Sequence, residues 1–215
     1  MVAFVVGVTP GKWARVWGER LPGHPLELTQ LPQADAVTAL LSGGVHAALL
    51  RLPVGDEQLS TIPLYAEQPV VVARKDHAVT AFDSVTLADL AGETLLAQGG
   101  EQHWAGAVEL VAANVGVAVM PQSVARALSR RDVVARPVRD AAETSIALAW
   151  VTTRTSPSVE EFIGIVRGRT ANSSRGTPTP PTPPPDKRRT VGPTGKAANK
   201  PTGKKPRKPG SARGR

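Results

Sequence analysis

The stretch AFVVGVTPGKWARVWGER, residues 3–20, runs from an apolar strand directly into an amphipathic helix. Residues 3–8 are all apolar and rich in β-branched valine, which suits a pleated strand. Thr9-Pro10-Gly11 is a turn. From Lys12 to about Arg20 the residues Trp13, Val16 and Trp17 share one face at helical spacing. Core packing is the usual reason for two tryptophans one turn apart; a dimer contact is the alternative if that face is exposed.

The same alternation continues outward. PLELTQL, residues 25–31, reads as a second strand through Leu26, Leu28 and Leu31. A helix over 33–42 aligns Val37, Leu40 and Leu41, and Gly43-Gly44 stops it as a left-handed cap would. A strand over 45–51, a polar loop over 53–60 and a long extended segment over 62–75 follow. Strands alternating with helices of about ten residues predict βαβ units and a largely parallel sheet. Further on come a short helix at 86–91, a strand at 94–97 and a helix over 104–114. VGVAVMPQSVARAL, residues 115–128, turns strand into helix, with Pro121 placed in the first helical turn. A strand over 144–153 leads to a last helix, capped by Ser156 or Ser158, with Val159, Phe162, Ile163 and Val166 on one face.

Charge divides the chain. Its net charge is +8 over 215 residues, yet residues 171–215 hold twelve Lys or Arg against one acid, Asp186, a net of +11. Residues 1–170 keep fourteen bases and seventeen acids, a net of −3, so the basic character belongs to the tail. A hydrophobic content of 41% is enough for a real core in the first part. Past Thr170 apolar residues nearly vanish. TPTPPTPPP is a stiff polyproline spacer, and the whole of 171–215 is expected to be disordered, since it cannot bury enough surface to offset its ordering entropy. Lys187, Arg188 and Arg189 in DKRRTVG, with Lys204, Lys205, Arg207, Lys208, Arg213 and Arg215 in KKPRKPGSARGR, are extended point charges and guanidinium forks for the phosphates of DNA or RNA. Without aromatic residues the tail lacks the stacking platform of single-strand binders. The alternative is a solubilising appendage with no specific partner.

Several functions are excluded or left unsupported. The chain has no cysteine, so disulfides, thiolate metal sites and Cys nucleophiles are ruled out. His24, His46, His77 and His103 are scattered, with no HExxH pair and no GxSxG elbow; His24 reads as an exposed turn residue and His46 as structural. No phosphate-binding glycine loop occurs. The reading is therefore of a protein that is not an enzyme and uses neither cofactor nor metal. The initial apolar run of about six residues is too short for a signal peptide or a membrane span, so a cytoplasmic protein without membrane association is expected.

Taken in order, FVVGVTPGKWARV, LELTQLPQADAVTALLSGGVHAALLRLP, PLYAEQPVVVARKDHAV, VTLADLAGETLL and VELVAANVGVAVMPQSVARAL make residues 3–169 resemble the effector-binding domain of LysR-type transcriptional regulators. The resemblance implies an α/β, two-lobed, periplasmic-binding-protein-like (type 2) fold. The first lobe would be residues 1–75, the second, shortened lobe 76–140, and 141–170 a strand and helix returning to the first. Leu96 reaches VELVAANVGV after about a dozen residues, where the family usually carries a further strand and helix, hence the shortening. The family's winged helix-turn-helix is expected to be missing, because the chain starts at the first strand of the effector domain. Side-by-side homodimers are implied too, and a heterodimer with a full-length regulator would follow from the same surfaces.

A small anionic metabolite is the ligand this reading expects. Thr9, Pro10, Gly11 and Lys12 stand where a strand enters a helix, and a helix amino terminus offers free N–H groups to an anion; a plain turn capped by Thr9 is the alternative. The resemblance places Gln33, Arg51 and Pro53 on the same cleft. Arg51 would grip a carboxylate bidentately, or else lie on the surface beside Asp56 or Glu57. In the second lobe Gln122 and Ser123 would donate to the ligand, or simply cap their helix. On this reading Arg51→Ala abolishes ligand-induced stabilisation with little change in the stability of the free protein. The competing function is a nucleic-acid-binding or nucleoid-associated protein that works through the tail and uses the α/β domain for dimerisation. Removing residues 171–215 is expected to leave the melting temperature almost unchanged in a thermal melt; a large drop would show that the tail docks on the domain.

Overall fold

The strand β3 (Ala47–Arg51) is buried at all five positions, the mark of a central strand covered on both faces. The computed structural model that places it describes residues 1–96 and 100–169. The tail, with its expected disorder, polyproline spacer and nucleic-acid contacts, lies outside the described residues, as does Ala97 at the end of the expected strand over 94–97.

β3 belongs to a five-stranded sheet in the order β2-β1-β3-β9-β4, with β1 (Val2–Phe4), β2 (Leu28–Gln30), β4 (Leu59–Glu67) and β9 (Thr144–Val151). A second sheet has the order β6-β7-β5-β8, from β5 (Pro69–Arg74), β6 (Leu95–Leu96), β7 (Val117–Pro121) and β8 (Val133–Pro137). These two sheets and the helices packed on them form two lobes.

The expected parallel sheet is corrected to a mixed one. Strands linked through helices are parallel, β1 with β2 and β3, and β6 with β7. β3 with β9, β4 with β9, and β5 with β7 and β8 are antiparallel. The physical reason is the connection: helical crossovers return the chain in the same direction, and segments that pass straight between lobes do not.

Helix α1 (Gly11–Arg20) buries Trp13 and Trp17 in the first lobe's core, so the tryptophan face is packing and not a dimer contact. Trp17 meets Phe162 edge to face at 6.0 Å and donates its indole N–H to the His24 carbonyl at 2.6 Å. Helix α2 (Gln33–Ser42) spans the expected residues, and Gly43 ends it at φ +82°. The Arg154 guanidinium reaches the Leu40 and Leu41 carbonyls, a cation placed at the negative end of α2.

The segment expected to run unbroken over 62–75 is two strands in different sheets: β4 ends at Glu67, β5 begins at Pro69, and the chain changes lobes between them. Helix α3 (Glu101–Ala112) packs Trp104, Val108 and Val111 against the second sheet. Helix α4 (Gln122–Ala127) follows β7, with Pro121 at its N-cap and not inside its first turn. Helix α5 (Pro157–Val166) is capped by Ser156, whose hydroxyl accepts from Val159 N–H, and it buries Val159, Phe162 and Ile165. The expected helix at 86–91 is a short 3-10 turn, Ala88–Leu90. Thr86 and Asp89 cap each other there, and these bonds hold the Asp89 carboxyl below the usual carboxylate range.

Candidate functional site between the lobes

The segment that joins β1 to α1 begins with Gly7, whose φ of +86° suits glycine alone. A Cβ at this position would lie 2.5 Å from Ser123 Oγ and 2.9 Å from the Val124 nitrogen, so the first lobe's backbone rests against the start of α4 in the second. Pro10 caps α1 through its carbonyl, which takes the N–H of Trp13 and Ala14. Thr9 makes no side-chain cap, and the first N–H groups of α1 have no intrahelical acceptor.

Beside this contact lies a cleft of ≈ 1130 Å³. Its first-lobe wall is the 6–13 segment with Leu28, Gln30 and Tyr65; its second-lobe wall is Ser123, Arg126, Ala127 and Leu128. None of the described residues lining it is acidic, and Lys12 and Arg126 are both exposed on it. Lys12 Nζ sits 4.5 Å from the centre of the Trp13 ring, which restrains the ammonium by a cation–π contact.

Behind the cleft, where the lobes join, lies a buried charge cluster. Arg51 and Glu67 are each only 5% exposed. Arg51 Nε donates to Glu67 Oε2 at 2.8 Å, and its Nη2 donates to the Val6 carbonyl at 2.7 Å and to Ser123 Oγ at 3.1 Å. Ser123 Oγ donates in turn to Glu67 Oε1. The guanidinium lies over the Trp104 ring at 5.2 Å. Gln33 clasps the Arg51 backbone, accepting its N–H at Oε1 and donating from Nε2 to its carbonyl, both at 2.9 Å. The Gln33 N–H donates across the lobes to Glu101 Oε2 at 3.0 Å. Arg51 Nη1 and Thr144 Oγ1 are buried without a hydrogen-bond partner among the described residues.

Of the residues singled out from the sequence, Thr9, Pro10, Gly11, Lys12 and Ser123 line one cleft. Gln33, Arg51 and Ser123 meet in the cluster behind it. Pro53 is exposed beyond the β3 end, Gln122 donates its backbone N–H to the Gln68 carbonyl, and neither is part of the lining. The surface alternative for Arg51, beside Asp56 or Glu57, is corrected by its burial and its pairing with Glu67. Helix capping by Gln122 or Ser123 is corrected as well: α4 has no side-chain cap, because the Ser123 hydroxyl is engaged by Arg51 and Glu67.

Sequence reasoning missed Glu67, Tyr65, Trp104, Glu101 and Arg126. Glu67, a charge at the strand end just before Pro69, carried the only local signal. Burial pushes the Tyr65 phenol above its ordinary value; the Glu67 carboxylate adds to this and Arg51 opposes it. Among the described residues no three His, Asp or Glu side chains stand close enough to share a metal ion. Nor is any described helix long and apolar enough to cross a membrane.

Two α/β lobes with a cleft at their junction make the fold of a periplasmic-binding-protein-like (type 2) domain. Residues 11–105 and 102–171 match the LysR substrate binding domain, and the chain belongs to that family, one of transcriptional regulators and not of enzymes. Over 74 residues it is 38% identical to the HTH-type transcriptional regulator ShiR of Corynebacterium glutamicum (strain R), covering 34% of this chain and 25% of that relative's length. The fold is that of the effector-binding domain of a BenM variant, with a TM-score of 0.66 at 19% identity, covering 78% of this chain and 92% of that one. BenM's effector-binding domain with its effector benzoate gives 0.64 at 18% identity, covering 78% and 90%. The reduced OxyR regulatory domain of Pseudomonas aeruginosa gives 0.62 at 20%, covering 77% and 93%.

The buried pair overturns the expectation that Arg51→Ala leaves the free protein's stability unchanged. Truncation strands the Glu67 carboxylate, and a loss of about 3–5 kcal/mol is expected in a denaturant titration; a loss under about 1 kcal/mol, the size of an exposed pair, would contradict the cluster. Tyr65 is the chain's single tyrosine, so phenolate absorbance reports it alone. Its raised folded-state pKa means that its contribution to stability is present at neutral pH and is lost as pH rises through that value. The absorbance midpoint is expected above that of a free tyrosine, and Glu67→Gln should lower it; a midpoint at or below the free value would contradict the geometry.

Proposed function

We propose that this domain is the effector receptor of a LysR-type regulator, acting in the cytoplasm and binding a small anionic metabolite in the cleft between its lobes. The observation that carries the reading is the lining itself: Lys12 and Arg126 face one cavity in which no described side chain is acidic. An anion placed there meets a cation and competes with no carboxylate of the described lining. Thr9, Ser123 and Tyr65 supply hydroxyls, and the free N–H groups of Gly11 and Lys12 face a ligand seated over Pro10. Gln33 and Arg51 act from behind, holding Ser123 and the 6–8 backbone in place. That BenM takes benzoate, a carboxylate, as its effector agrees with this chemistry.

In this proposal the domain works as a homodimer, or as a heterodimer with a full-length regulator. The basic residues of 187–215 add a separate, sequence-tolerant hold on DNA or RNA that weakens steeply with salt. A chain that binds nucleic acid through this tail, with a domain that only dimerises, is the rival, and it needs no working cleft.

A thermal-shift screen of the full chain against small carboxylates separates the two. A ligand at 100 times its dissociation constant stabilises by about 2.7 kcal/mol. A saturable shift with one or more carboxylates is the expected result, and the absence of any shift across the screen would overturn the effector reading.

A further inference from the structure

We propose that the ligand is a dianion that bridges the lobes, and that Arg126 is the residue that selects for its second negative group. The inference rests on the effector reading above and sharpens it. Lys12 and Arg126 stand on opposite walls, one on α1 of the first lobe and one on α4 of the second. Among the described residues neither is paired with a carboxylate, whereas Arg51 behind the cleft is paired with Glu67.

Arg51 would be the natural receptor for a second carboxylate, but its charge is already matched by Glu67 and sealed from solvent. The cationic capacity left to the cleft is thus split between its two walls. A monoanion engages one of them and leaves the other a lone cation, while a dianion engages both and draws the lobes together. The lining also carries Phe4, Val6, Val8, Leu28 and Leu128, alongside the hydroxyls of Thr9, Tyr65 and Ser123. The matching molecule carries two negative groups at the ends of an apolar body, aliphatic or aromatic. The exposure of Arg126 fits a group whose partner arrives with the ligand.

The test compares matched pairs by calorimetric titration of the full chain: adipate against hexanoate, and terephthalate against benzoate. In each pair only the second carboxylate differs. The dianion is expected to bind at least about tenfold more tightly than its partner, equivalent to about 1.4 kcal/mol. Arg126→Ala should collapse that ratio to near one, and Arg126→Lys should restore part of it, since a charge without the planar fork still attracts. Arg126 is exposed, and a melting temperature close to that of the parent shows that each variant is folded. Equal affinity within both pairs, or a ratio that survives Arg126→Ala, overturns the bridging dianion and leaves the effector reading standing. Failure of all four compounds to bind overturns the bridging dianion, and the carboxylate screen then decides the effector reading separately.

Discussion

The architecture turns on one ion pair that has been taken out of water. Desolvating a guanidinium and a carboxylate costs several kcal/mol per ion, and the pair persists only where geometry and further hydrogen bonds repay that cost. Arg51 and Glu67 meet the condition with a 2.8 Å contact, the Val6 carbonyl, the Ser123 hydroxyl and the Trp104 face. These partners come from the ends of β3 and β4, from the segment after β1, and from α3 and α4. One charge therefore gathers the ends of the first lobe's strands and fastens both helices of the second lobe to them.

Steric fit at Gly7 completes the junction. Its left-handed backbone and missing side chain let the 6–8 segment lie against Ser123 and Val124, closing one side of the interlobe space. The open side becomes the cleft, and its charge follows from what the junction has consumed. Glu67 is committed to Arg51, and Glu101 to the Gln33 N–H. The carboxylates near the lobe boundary are thus occupied internally, and Lys12 and Arg126 are left facing solvent in a lining free of acid. The junction and the charge of the cleft lining are two sides of the same distribution of charge.

Local features were legible in the sequence, and long-range ones were not. Helix α2 could be read because its apolar spacing, its length and the Gly43-Gly44 stop all agree; α5 could be read from Val159, Phe162 and Ile163 with Ser156 ahead of them. The turn at Thr9-Pro10-Gly11 pointed to the cleft because a strand entering a helix exposes N–H groups wherever it occurs. By contrast, β4 and β5 fused into one expected segment, since nothing local says that the chain leaves one sheet at Gln68 and enters another at Pro69. Nothing in the sequence marks strand β8, whose short run, Val133–Pro137, carries Arg136 and follows three charged residues. Glu67 and Trp104 are 37 residues apart and meet only through Arg51, a relation that no periodicity encodes. The same holds for Arg51, whose partner Glu67 stands 16 residues on and meets it only through the fold.

The most direct test of this arrangement is a double-mutant cycle across the lobe boundary, pairing Arg51→Met with Ser123→Ala and reading stability by denaturant titration. If the buried charge fastens the second lobe to the first, the two changes are expected to be non-additive by about 0.5–3 kcal/mol. Additivity to within about 0.3–0.5 kcal/mol would mean that Arg51 and Ser123 act independently, and would contradict the account of the junction.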